Sequence, residues 1–230
     1  MNAASPPIAA LDHLVVMADT LEQGAAWCRA TLGVAPAPGG EHPLFGTHNS
    51  LLAIGSAAHP QAYLEIIAID PAAAPARRRW FDMDQQALRA GVQRDGPRLI
   101  HWVARVPGLA AALAIWAARG LDAGPALAAS RMTPRGRLEW RIAVRPDGRR
   151  LMQGCLPTLI EWGAVHPAAS LPDCGVALQS LTLHHPQAAA LQGALDAVAL
   201  GGVQVRPADA VALQARLATP RGSVVLDGGA

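Results

Sequence analysis

The sequence contains no lysine. All 19 basic positions among its 230 residues are arginine, which excludes a Schiff-base lysine, a catalytic lysine base and a Gly-Lys phosphate loop. Cysteine is scarce as well: Cys28, Cys155 and Cys174 are odd in number, far apart and free of C-x-x-C spacing. Neither a disulfide framework nor a cysteine zinc cluster is expected, and a reducing cytoplasm is the expected location. Aromatics make up only 4%, and 19 basic against 17 acidic residues leaves a net charge of +2; nothing here suggests a nucleic-acid or anionic-membrane partner. The longest apolar run, Leu109 to Ala118, is too short to span a bilayer. The opening residues MNAASPPIAA lack a basic segment ahead of an apolar stretch, so the chain reads as soluble and untargeted. No G-x-S-x-G, H-E-x-x-H or dinucleotide fingerprint occurs.

What the chain does have is apolar content, 51%, enough for a substantial core, and an internal repeat. Leu11 to Ala18 is a β-branched apolar run followed by Asp19 or Thr20 as helix N-cap and by Leu21 to Leu32 at helical spacing. Leu99 to Val106 repeats the run, with Leu109 to Arg119 as helix and Gly120 as its stop. A third run, Leu178 to Leu183, precedes a helix-like stretch from Gln187 to Leu200. Short strands follow each helix: His48 to Ile54 and Ala62 to Ile69 in the first unit, Leu138 to Val144 and Leu156 to Trp162 in the second, and a compressed set after Val203 in the third. The pattern predicts an α+β fold of paired βαβββ modules, at 9–70 and 97–165, plus a shortened third module at 176–230. A linker, 71–96, is expected to hold a helix around Trp80 to Ala90.

Chemistry-bearing residues recur at matching places. His13 and His101 each sit third in an opening strand, 88 residues apart, and Glu65 and Glu161 each sit inside a closing strand, 96 apart. Strand alternation puts Tyr63, Glu65 and Ile67 on one face. A carboxylate on such a face needs a partner, since burying it alone costs several kcal/mol or raises its pKa. A divalent cation, Zn, Ni, Mn or Fe, is one partner that accommodates two carboxylates and two imidazoles; pairing with Arg98, Arg131, Arg137 or Arg141 is the alternative.

With this quartet the sequence resembles the vicinal oxygen chelate superfamily, and the strings Phe45-Gly46-Thr47-His48-Asn49 and Arg137-Leu138-Glu139-Trp140-Arg141 resemble its glyoxalase-like domain group. The resemblance covers Leu11 to Gly163. It implies two modules whose sheets form a cleft, a divalent metal held by His13, Glu65, His101 and Glu161, and lyase or isomerase chemistry on a small carbonyl substrate through a metal-stabilised enediolate, with Glu65 or Glu161 moving the proton. A metal-free small-molecule binding protein of the bleomycin-resistance type is the second reading, and an extradiol-type dioxygenase with two His and one carboxylate the third. The third unit departs from the pattern, because Ser180 stands where the His would be. Homodimerisation, common in the superfamily, stays open.

Around the quartet, His48, Trp102, Arg131, Trp140, Arg141 and Trp162 are the expected substrate contacts, the tryptophans as apolar lining and the arginines as bidentate carboxylate or phosphate anchors. His42, His59 and His166 each neighbour a proline and read as solvated, and His184-His185 as a surface feature. Arg77-Arg78-Arg79 reads as solvent-facing or paired with Asp82 and Asp84.

Overall fold

A computed structural model describes residues 9–133 and 136–229. The reading of the opening residues as untargeted falls largely on 1–8, outside the described residues. The first module runs β1 (Ala10–Met17), α1 (Leu21–Thr31), β2 (Ala37–His42), β3 (Thr47–Ala53) and β4 (Tyr63–Ile69). After α2 (Gln86–Asp95), the second runs β5 (Arg98–Arg105), α3 (Leu109–Ala117), β6 (Ala126–Thr133), β7 (Gly136–Ala143) and β8 (Thr158–Trp162). All eight strands form one curved sheet in the order β2-β3-β4-β1-β5-β8-β7-β6. The first and last strands of each module pair in parallel, and β1 and β5 pair antiparallel at the centre. The fold is therefore α+β, built from paired βαβββ modules, as the repeat predicts.

Local chemistry accounts for the element ends. Thr20 is the N-cap of α1, its hydroxyl accepting the Gln23 N–H at 3.1 Å. Within α1, Gly24 is required by close approach: a Cβ there would overlap the Ile66 side chain of β4. The edge strands β2 and β6 escape the sequence reading because neither is a plain apolar run; β2 is Ala-Pro-Gly-Gly-Glu-His. The helix expected around Trp80 to Ala90 starts only at Gln86, because Phe81 and Asp82 adopt left-handed backbone, φ 58° and 62°. Asp82 is held there by an ion pair to Arg150 at 2.7 Å, and Arg79 pairs with Asp84 at 2.8 Å.

The sheet separates two cores. On its concave side Val15, Met17, Ile67, Val103, Trp140 and Ile160 pack against Phe45, Trp80, Phe81 and Met83, so the linker between modules fills one end of the cleft. On the convex side Leu14, Val16, Leu64, Ile66 and Trp102 pack against Cys28, Leu109 and Trp116 of the helices and against Leu181, Leu213 and Leu217 of the third unit. That third unit comprises β9 (Ala177–His185), α4 (Ala188–Ala197), β10 (Gln204–Pro207), β11 (Ala212–Thr219) and β12 (Gly222–Gly229), with its own sheet in the order β10-β9-β11-β12. It repeats the element sequence but not the pairing, since β9 pairs with β10 and β11 rather than with its last strand. Trp116 stitches α3 to α4, its indole N–H donating to the Ala194 carbonyl at 2.8 Å. Among the described residues no helix is long and apolar enough to cross a membrane.

Candidate active site

The concave face gathers its polar groups around one buried carboxylate. A register shift in β1 between Leu11 and His13 brings the Asp12 side chain beside that of its neighbour. Asp12 is fully buried. Its Oδ1 accepts from His13 Nδ1 at 2.7 Å, and its Oδ2 accepts from His166 Nε2 at 2.9 Å and from Trp162 Nε1 at 3.0 Å. Burial alone would raise its pKa, but the hydrogen bonds and charges of His13 and His166 hold it well below the usual carboxylate range. Asp12 is thus an ionised anchor. Because His13 spends Nδ1 on it, the ring presents Nε2 to Glu65 Oε2 at 3.6 Å, while stacking on Tyr63 at 4.5 Å.

Glu65 is oriented from its other side. Asn49 Nδ2 donates to Glu65 Oε1 at 2.6 Å, and the amide cannot flip without loss because its Oδ1 already accepts the Gly40 N–H at 2.8 Å. His42 contacts both Asn49 Nδ2, at 3.4 Å, and the Thr47 hydroxyl, at 3.2 Å. Burial, with the charges of Arg131 and His13, pushes the His42 pKa down to about 3, and burial raises Tyr63 well above the usual phenol range. His13, His42, Asn49, Tyr63 and Glu65 line a chamber of about 30 Å³ with Arg131, Trp80, Phe81, Trp140 and Trp162.

Of the predicted quartet, His13 and Glu65 come together; His101 and Glu161 do not join them. In the first module Glu65 pairs with Val15, two residues after His13; in the second, Val103, two after His101, pairs with Thr158. Thr158 therefore stands where Glu65 stands. Glu161 lies three residues further, and an odd offset turns it to the opposite face. There it accepts from Arg141 at 2.7 Å and from the Leu109 N–H at 2.7 Å, serving as a remote cap for α3, whose own N-cap, Gly108, has no side chain. The backbone bond and Arg141 hold its pKa down against burial.

His101 keeps the cleft-side position, but both nitrogens are committed: Nδ1 donates to the Gly154 carbonyl at 3.1 Å and Nε2 accepts from the Thr158 N–H at 3.2 Å. Burial, aided by the Arg150 charge, keeps it neutral. Among the described residues no three His, Cys, Asp or Glu side chains are grouped to hold a metal. The expected four-ligand site therefore does not fit a divalent cation.

The expected substrate contacts divide the same way. Arg131, Trp140 and Trp162 line the chamber. His48 turns away, since Thr47, Asn49 and Leu51 are the cleft-facing residues of β3, and Trp102 is buried on the convex side with its indole N–H donating to the Cys155 carbonyl at 2.9 Å. Arg141 lies with Glu161 on an outward concavity of about 460 Å³, larger than the chamber but open to solvent, whose charges pair with one another. The proline-flanked histidines are not solvated: His42 and His59 are buried, and His166 is half-buried on Asp12. His185 is buried too, bonded to Gln153 at 3.1 Å. Sequence reading missed Asp12, His42, Asn49 and His166. Only Asp12, beside His13 in an apolar strand, carried a signal of its own.

The profile of the glyoxalase-like domain family matches residues 11–199. The chain belongs to that family, within the vicinal oxygen chelate superfamily. Among solved structures it is similar to a hypothetical protein from Staphylococcus aureus, with 13% identity and a TM-score of 0.58 over 96% of this chain and 85% of that one. It also matches methylmalonyl-CoA epimerase from Mycobacterium tuberculosis, with 15% identity and a TM-score of 0.39 over 70% of this chain and 91% of that one. No curated protein matches it.

Two outcomes follow from this arrangement. Glu161→Ala removes the cap of α3 and is expected to cost about 1–2 kcal/mol of stability in urea titrations while leaving uptake of Zn or Ni unchanged by elemental analysis; loss of bound metal in this variant would contradict the site geometry. The buried neutral histidines set a pH dependence. Their folded pKa values lie below the ordinary 6.5, so the unfolded chain takes up protons that the fold refuses. For His42 stability should fall as pH drops from about 6.5 towards about 3, by up to about 1.4 kcal/mol per pH unit, and His101 adds to the loss in the same direction. Asp12 adds to the loss below about pH 4, because its stabilising charge is lost as the pH falls. A urea midpoint that stays flat over that range would contradict the assignment.

Proposed function

We propose that the chain is a glyoxalase-like enzyme that moves a proton on a small carbonyl-containing substrate, as an isomerase or lyase, with Glu65 and His13 as the proton-handling pair. The observation that carries this reading is the buried approach of His13 Nε2 to Glu65 Oε2, 3.6 Å, with each side chain fixed from behind by Asp12 and by Asn49. Glu65 takes the proton from the carbon next to the carbonyl, the electron pair passes to the carbonyl oxygen, Arg131 stabilises the charge that develops there, and His13 Nε2, whose lone pair is left free because Nδ1 donates to Asp12, accepts and returns a substrate hydroxyl proton. Return of the proton from Glu65 to the former carbonyl carbon, with His13 Nε2 carrying the hydroxyl proton from the one oxygen to the other, completes an isomerisation; expulsion of a leaving group with its bonding pair from the carbon next to the carbanion completes a lyase reaction.

Neither the four-ligand set nor a two-His-one-carboxylate set fits a metal here, since the His101 Nε2 lone pair is taken by Thr158, so no step is assigned to one. This weighs against the dioxygenase reading as well. The metal-free binding protein remains the competitor, and one experiment separates the two. Incubation in deuterium oxide with a panel of 2-oxo and 2-hydroxy carbonyl compounds, followed by proton NMR, should show deuterium entering the carbon next to the carbonyl. In Glu65→Gln the rate should fall about 10²–10⁴-fold. Binding without exchange in the parent protein would assign sequestration instead.

A further inference from the structure

Two cavities meet at Arg131. The inner chamber, about 30 Å³, has room for roughly two waters, or one carbonyl or carboxylate head group. A second cavity of about 260 Å³ lies outside it, between β2, β6 and the segment 165–171. Leu51, Arg131, Leu138 and Pro167 border both, so the outer cavity is a vestibule to the inner one. Its remaining walls are mostly apolar, among them Ala37, Pro38, Met132, Val165 and Leu171.

The junction is built around the guanidinium. Arg131 reaches from β6 across to β2, where Gly40 makes room for it: a Cβ at Gly40 would overlap the Arg131 side chain. Gly39 is bare for a related reason, since a Cβ there would overlap the Asn49 amide that orients Glu65. Arg131 is half-buried and forms no ion pair among the described residues. The Trp80 indole N–H, on a chamber-lining residue only 4% exposed, has no acceptor among the described residues. A buried donor without an acceptor, and a guanidinium that feels the Glu65 charge without touching it, favour a ligand bearing oxygen atoms and negative charge. The apolar vestibule calls for a hydrocarbon extension.

We propose that the site takes an amphiphilic carbonyl acid, a 2-oxo or 2-hydroxy acid of medium chain length, with its oxygenated head in the inner chamber, its carboxylate on Arg131 and its chain in the vestibule. This rests on the reading above for the location of the head group; Arg131 serves both, its guanidinium having donors for the carboxylate and for the adjacent carbonyl oxygen, whereas the vestibule is separable from the proton-handling pair. The two can therefore fail independently.

The test is calorimetric titration of the full chain with pyruvate, 2-oxooctanoate and 2-octanone, alongside Arg131→Gln and Ala37→Trp, with deuterium exchange followed on the same ligands. 2-Oxooctanoate should bind at least about tenfold more tightly than pyruvate, because added methylenes are buried. It should also bind at least about tenfold more tightly than 2-octanone, which lacks the carboxylate, and Arg131→Gln should erase that second difference. Ala37→Trp, which fills the vestibule from an edge strand, should erase the chain-length gain and leave pyruvate binding unchanged; Leu171→Trp serves if that variant does not fold. Equal affinity for pyruvate and 2-oxooctanoate, retention of both differences in the variants, or no binding of 2-oxooctanoate overturns the proposal. Exchange on pyruvate without chain-length dependence overturns it while leaving the proton-transfer reading intact. Chain-length- and Arg131-dependent binding without exchange supports it and overturns the proton-transfer reading.

Discussion

The buried Asp12 carboxylate is the constraint on which the site depends. A charge taken wholly out of water is tolerable only when its lone pairs are used, and here three donors from three elements converge on it: His13 of β1, Trp162 of β8 and His166 of the following segment. The His166 ring can donate through Nε2 because its Nδ1 accepts the Ala168 N–H. One carboxylate thus ties the first module to the end of the second and closes the segment containing Pro167 over the chamber. It also fixes which face His13 shows to Glu65, so the packing requirement and the chemistry share one residue.

The two modules are related by sequence and separated by function. In each, the His fourth along the opening strand turns Nε2 towards the residue at one register position of the closing strand. In the first that residue is Glu65, and the pair is bordered by a cavity and a cation. In the second it is Thr158, whose N–H and hydroxyl both engage the ring, at 3.2 and 3.0 Å, and the His becomes a structural strut. The repeat has kept the architecture twice and the reactive pairing once. The linker between modules contributes to the difference by sending the rings of Trp80 and Phe81, stacked with Phe45 of the β2–β3 turn, into one end of the concave face.

Much of this was legible from the residues. Hydrophobic periodicity carried the repeated strand–helix units, and the strand alternation around Glu65 correctly aimed it into the cleft beside His13. What misled was counting along the chain: the offsets of 88 and 96 suggested that Glu161 mirrors Glu65, whereas strand register assigns that place to Thr158, and a shift of three residues in a strand changes faces. Asn49 was hidden because its role depends on a backbone N–H of Gly40, nine residues earlier, and β2 carries no periodic signal. His42 and His166 looked solvated because proline-marked segments usually are; here both segments fold back over the concave face. Trp102 shows the same limit, since an aromatic in a two-sided buried strand does not declare which core it joins.

The account turns on whether Asp12 sets the His13 tautomer. Nitrogen-15 and proton NMR of protein labelled at histidine measures that directly at neutral pH. The account predicts a His13 ring carrying its proton at Nδ1 in a short hydrogen bond to Asp12, and loss of that signal in Asp12→Asn. A His13 ring with an unprotonated Nδ1 in the parent protein, or one whose signals do not move in the variant, would contradict it.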